Sequence, residues 1–121
     1  MSAYTKLHSL LTNILTSTEM TNLRSAIAEG ARGLASGKYS IDQIQRTARK
    51  ICLFIRGSHI VEISELESRS GIDFVETCTD LIVTAVLEQS MMSSSRLTLS
   101  KLISGERTEE SREERSSKIL E

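Results

Sequence analysis

Not one of the 121 residues is proline, and only four are aromatic, none of them tryptophan. Sheet proteins need frequent turns and draw on aromatic and β-branched side chains, whereas a proline-free chain rich in Leu, Ile, Ala, Ser and Glu favours helix. An all-α fold is the expectation. The length suits one domain that buries roughly two-thirds of its unfolded surface. A composition 39% hydrophobic and 26% charged is ordinary for a globular chain. Serine and threonine supply 30 residues, which predicts a polar surface with only weak helix preference of its own.

Apolar residues recur at helical spacing. Tyr4, Leu7, Leu10, Leu11, Ile14 and Leu15 form one stripe and predict a first helix over 2–16. Thr18 is the expected N-cap of a second helix carrying Met20, Leu23, Ile27 and Leu34. Gly30 falls in line with that stripe, and Ala26, Ala28, Ala31 and Ala35 flank it, small enough to let another helix approach closely. The short connection predicts an antiparallel hairpin, ended between Gly33 and Gly37.

Ser40 with Gln43 makes a capping box that opens a third helix. Its Ile41, Ile44, Ala48, Ile51, Phe54 and Ile55 are expected in the core, and Gly57 is expected to stop it. Over residues 58–70 two periods compete, since Val61 to Ser64 alternates like a strand while Ile60, Ile63 and Leu66 step like a helix. Early Glu62 and Glu65, late Arg69 and the following Gly71 suit a helix dipole and C-cap, so a short helix is the expectation.

Asp73 with Glu76 makes a second capping box before the central element. There Phe74, Val75, Cys78, Leu81, Ile82, Ala85, Val86 and Leu87 cover most of the circumference, and only Thr77, Asp80, Thr84 and Glu88 form a polar stripe. A helix apolar nearly all round is normally enclosed by others. Ser93 to Ser95 is expected to end it, with a last short helix over 96–103. From Glu106 onward ten of sixteen residues are charged, which predicts a solvated or disordered tail. The expected architecture is a compact bundle of four main helices plus one or two short ones over residues 1–105, with a charged tail over 106–121.

Net charge is only −1, yet its distribution is uneven. Residues 1–57 carry net +5, residues 58–105 net −4, and the tail −2. The third helix concentrates cations: Arg46, Arg49, Lys50 and Arg56 fall opposite or beside Ile44, Ile51 and Ile55. They are the candidate binding residues, for nucleic-acid phosphates or for an acidic partner, including the acidic half of a second copy. No aromatic residue is expected among them, which argues against base stacking on single strands.

Other motifs fail on inspection. Gly33 to Lys38 lacks the first glycine, the following Ser or Thr and the preceding strand of a phosphate loop. Gly30-Ala31-Arg32-Gly33 has the form of a backbone-clamping loop but no flanking strands. Residues 63–81 imitate a helix-turn-helix, yet its second helix would aim Asp73, Glu76 and Asp80 at phosphates. Those carboxylates lack the Glu-x-x-His spacing of bundle metal sites, and His8 and His59 have no nucleophile motif. No metal, cofactor or enzymatic activity is expected.

Cys52 and Cys78 lie within apolar patterns and read as buried thiols, their pairing left open by their spacing. The N-terminal residues carry no secretory pattern, and the most apolar stretch, 74–87, is interrupted by Glu76 and Asp80 and too short to span a bilayer. An intracellular, cytoplasmic location and no membrane contact are expected. Met20, Met91, Met92 and the broad apolar girdle of the central helix exceed what a small monomer covers, so a homo-oligomer, most simply a dimer, is anticipated. The leading expectation is therefore a non-enzymatic protein–protein interaction or regulatory module. Sequence-nonspecific binding of nucleic acid, double-stranded RNA included, is the alternative.

Overall fold

The computed structural model describes residues 2–104, with side chains through Met92, so the charged segment 106–121 lies outside the described residues. Five helices and no strand occur among them: α1 (Ala3–Leu11), α2 (Ser17–Ser36), α3 (Ile41–Ser58), α4 (Ile60–Ser70) and α5 (Phe74–Ser104). The chain divides into two compact units, Met1–Ser90 and Met91–Glu121. The second is represented by the last turns of α5, where Met91 and Met92 are exposed.

With no proline to set boundaries, side chains and glycines define the helix ends. Ser2 Oγ accepts from Thr5 N at the start of α1. The first helix then stops at Leu11, one turn earlier than its apolar stripe predicts. The amides of Ile14 and Leu15 both turn back to the Leu11 carbonyl, and Leu15 is still buried. The reason is the next cap. Thr16, not Thr18, opens α2, because Glu19 stands three residues after it and completes a reciprocal box: Glu19 N donates to Thr16 Oγ1 and Thr16 N donates to Glu19 Oε1. The helix folds back along α1, where Tyr4 meets Arg24 through a 3.2 Å hydrogen bond and a cation–π contact.

Gly37 closes α2 in the left-handed region at φ 81°, where a side chain would be strained. The Ser40–Gln43 capping box opens α3 as its sequence predicts. Gly57 does not stop that helix, which continues through Ser58 to His59. His59 is the hinge residue, C-cap of α3 and N-cap of α4 at once. Segment 58–70 is helical, and Gly71 ends it at φ 76°.

The central helix behaves as its circumference predicts. Phe74, Val75, Cys78, Ile82, Ala85 and Val86 are buried and Leu81 is half-buried, while Asp80, Thr84 and Glu88 are exposed; the exception is Leu87, which lies between Val86 and Glu88 at the edge of the polar stripe and is exposed. Leu7, Leu11, Ile27, Ala48, Cys52 and Ile63 from the other four helices join them in one core. Glu88 Oε1 also accepts from Ala3 N at 3.0 Å, tying the start of α1 to α5. The serines at 93–95 do not end α5. Serine costs a helix a few tenths of a kcal/mol per residue rather than a hydrogen bond, so 96–103 continues α5 instead of forming a separate helix.

Small residues set the close approaches. At Gly30 an added methyl would touch Ile44 and Val86 at 3.4–3.5 Å, so α2 meets α3 and α5 across this position. At Gly33 it would fall inside the Tyr39 ring. Gly57 faces open space. Gly33→Ala must therefore expel the Tyr39 ring and cost about 1–3 kcal/mol, as overpacking does. Gly57→Ala is expected to leave stability unchanged or raise it by up to ~1 kcal/mol through helix propensity. Urea unfolding of the two variants, followed by helical circular dichroism, checks this opposite ordering.

Candidate interaction surface

Helix α3 turns about 100° per residue. Ile44, Ala48, Cys52 and Ile55 take its inner face, so the residues midway between them must point outward. Arg46, Arg49 and Lys50 are all exposed on that outer side. Arg46 Nε leans on its own helix, donating to the Asp42 carbonyl at 3.4 Å. Arg56 departs from this group. Its guanidinium donates to Glu67 Oε1 of α4 at 3.2 Å, so it braces the α3–α4 corner. The structure thus gathers three of the four candidate cations on one open face and gives the fourth an internal partner.

The same geometry overturns the core assignment of Ile41 and Phe54. Ile41, at the N-terminal edge of α3, is 42% exposed, and Phe54 is 72% exposed, because the inner arc is already filled by Cys52 and Ile55. Phe54 follows Lys50 by one turn, so one aromatic ring does stand among the cations. Leu53 (49%) precedes it, and Ile60 (62%) and Val61 (71%) are exposed at the start of α4. Sequence periodicity could not find this surface, since Phe54 fits the core stripe by spacing. The available signal was the surplus of apolar residues at the two ends of one hinge.

Two carboxylates hold the corner in place. Glu67 Oε2 accepts from Phe74 N at 2.8 Å while Oε1 takes Arg56, so one side chain caps α5 and ties it to α3. The Asp73 box is one-sided: Asp73 Oδ1 accepts from Glu76 N, while the next amide, Phe74 N, donates to Glu67 instead. Glu19 performs the equivalent task at the other end. It caps α2 and lies 3.2 Å from His59 Nε2, while Glu62 stands 3.7 Å from His59 Nδ1. The Thr16 amide, followed by the His59 ring, holds the Glu19 carboxyl below its ordinary pKa.

Other features of the sequence take structural places. Gly30 and Gly33 lie buried within α2, not in a loop. Gly37 to Tyr39 form a helix terminus in which Tyr39 N donates to the Gly33 carbonyl and Lys38 lies over the Tyr39 ring. The helix that would read DNA in a helix-turn-helix is α5, whose first residues Phe74 and Val75 are buried.

Cys52 and Cys78 are free, buried neighbours across α3 and α5. Contact with Cys52, together with burial, pushes the Cys78 thiol up. Thr79 Oγ1 is buried nearby without a hydrogen-bond partner. An apolar cleft of about 290 Å³ between α2, α3 and α5 is lined by Ile27, Gly30, Ile44, Ala48, Ile82 and Val86, with Tyr39 and Glu29 joined at 3.4 Å alongside. Among the described residues no three potential metal-ligating side chains converge, and no helix is long and apolar enough to cross a membrane. Compared with known protein families, curated proteins and solved structures, the chain matches none.

The lowered pKa of Glu19 fixes a sign. A carboxyl depressed in the folded state contributes stability that is complete above its unfolded pKa and is lost as pH falls through the folded value. Glu19→Gln keeps an acceptor for the Thr16 amide and removes the charge beside His59. Its stability is expected to fall below wild type at neutral pH and to converge with it on acidification below the usual carboxylate range. Denaturant midpoints across acid pH read this, and parallel curves for the two proteins would refute it.

Proposed function

We propose that this chain is a non-enzymatic protein–protein interaction or regulatory module that acts as a helical homo-oligomer, with the α3–α4 corner as its contact surface. One observation carries the reading: Leu53, Phe54, Ile60 and Val61, four of the eight exposed large apolar side chains among the described residues, flank the His59 hinge, while eighteen other apolar side chains are buried. Burying a large apolar side chain is worth about 1.5–3 kcal/mol, so association at this corner has a ready driving force. Interface centres are also enriched in aromatic side chains such as the exposed Phe54. The free thiols of Cys52 and Cys78 suit a reducing, intracellular compartment such as the cytoplasm.

The second reading, sequence-nonspecific binding of nucleic acid, draws on the exposure of Arg46, Arg49 and Lys50 along one helix face. Phosphate contacts of that kind weaken steeply with salt.

Sedimentation of the full chain over a wide concentration range is expected to reveal an oligomer. Phe54→Ser with Val61→Ser should convert it to a monomer of unchanged helical content. An oligomer that survives both substitutions removes the corner from the reading, and a wild type monomeric throughout removes self-association. Fluorescence anisotropy with duplex RNA is expected to show no salt-sensitive binding. Salt-steep binding abolished by Arg46→Glu with Lys50→Glu, in an otherwise intact oligomer, would install the second reading instead.

A further inference from the structure

The exposed corner carries its own complement. One turn before Leu53 and Phe54 stand Arg49 and Lys50, and beside and one turn beyond Val61 stand Glu62 and Glu65, all four exposed. In chain order these exposed residues run cation, apolar, hinge, apolar, carboxylate. Among the described residues neither Arg49 nor Lys50 has an ion-pair partner within 4.0 Å, and neither does Glu65. Glu62 is 52% exposed beside His59. Lys6 and Arg69 border the groove that Glu62 and Glu65 line, without closing on either carboxylate.

A uniformly acidic partner would satisfy α3 and be repelled at α4, and a basic one would do the reverse. The occupant that fits both arms bears the two signs in the opposite order, and a second copy turned by a two-fold axis through the apolar centre presents that order. The same rotation places apolar residues on apolar residues. The wider chain repeats the polarity, with net +5 over residues 1–57 and net −4 over residues 58–105.

We infer that the protein forms a two-fold symmetric homodimer through the α3–α4 corner, in which Arg49 and Lys50 of each copy pair with Glu62 and Glu65 of the other. The inference rests on the corner being the contact surface and adds the identity and orientation of what covers it.

Charge reversal on one arm at a time tests the arrangement. In Arg49→Glu/Lys50→Glu both symmetric contacts oppose carboxylates, and in Glu62→Lys/Glu65→Lys both oppose ammonium groups. Each variant alone is expected to weaken the dimer at least about tenfold by analytical ultracentrifugation at low salt. Mixing the two variants creates two attractive contacts and should restore association as a heterodimer, and a chain carrying all four reversals should form a homodimer again. Circular dichroism of each variant confirms the fold, since every substituted side chain is exposed. If Phe54→Ser with Val61→Ser dissociates the wild-type oligomer but the reversals do not, or the mixture fails to associate, the corner reading survives and the two-fold pairing is wrong. A wild type that is monomeric throughout overturns both.

Discussion

Every helix of the first unit buries its apolar face against the start of α5. Phe74, Cys78, Ile82 and Val86 occupy successive turns of that helix and have almost no solvent contact. Its β-branched residues do not favour helix by themselves, so the helix depends on being enclosed, and its neighbours depend on the surface it offers. Gly30 shows the mutual constraint, since a single methyl there would already touch Ile44 and Val86.

Enclosing one helix with four others requires sharp, fixed connections, and in a proline-free chain these rest on hydrogen bonds. Glu19 and Glu67 each cap a helix N-terminus and also engage a cation or imidazole from the far end of α3, so both sides of the α3–α4 hinge are fixed by groups that serve two helices. A hinge held this firmly can keep Leu53, Phe54, Ile60 and Val61 in water without the chain rearranging to hide them. That is why the corner, rather than the apolar cleft or the buried thiols, bears the functional proposal.

The capping boxes were legible in the sequence because they are local: Ser40 with Gln43 needs only three-residue spacing and a hydroxyl. The choice of Thr16 over Thr18 has a related reason, since the decisive N3 partner is Glu19, two positions before the Thr21 that a Thr18 cap would use. The Asp73 box was half legible. Glu67, which takes the neighbouring Phe74 amide, acts across a turn that the sequence does not fold by itself. Of the candidate binding residues, the outward placement of Arg46, Arg49 and Lys50 followed from helical period, whereas the capture of Arg56 by Glu67 required the hinge angle.

Residue spacing and the hydrogen bonds of neighbouring residues suffice for the helices, the buried face of α5 and the separation of a basic half from an acidic half. Which apolar residues stay outside is settled by the assembled packing. Phe54 and Ile55 are adjacent and both suit a core, but once Cys52 and Ile55 fill the arc facing α5 no room remains there for the Phe54 ring. Core space is finite and shared among helices distant in sequence, so the exposed surface is a remainder that only the assembled packing fixes.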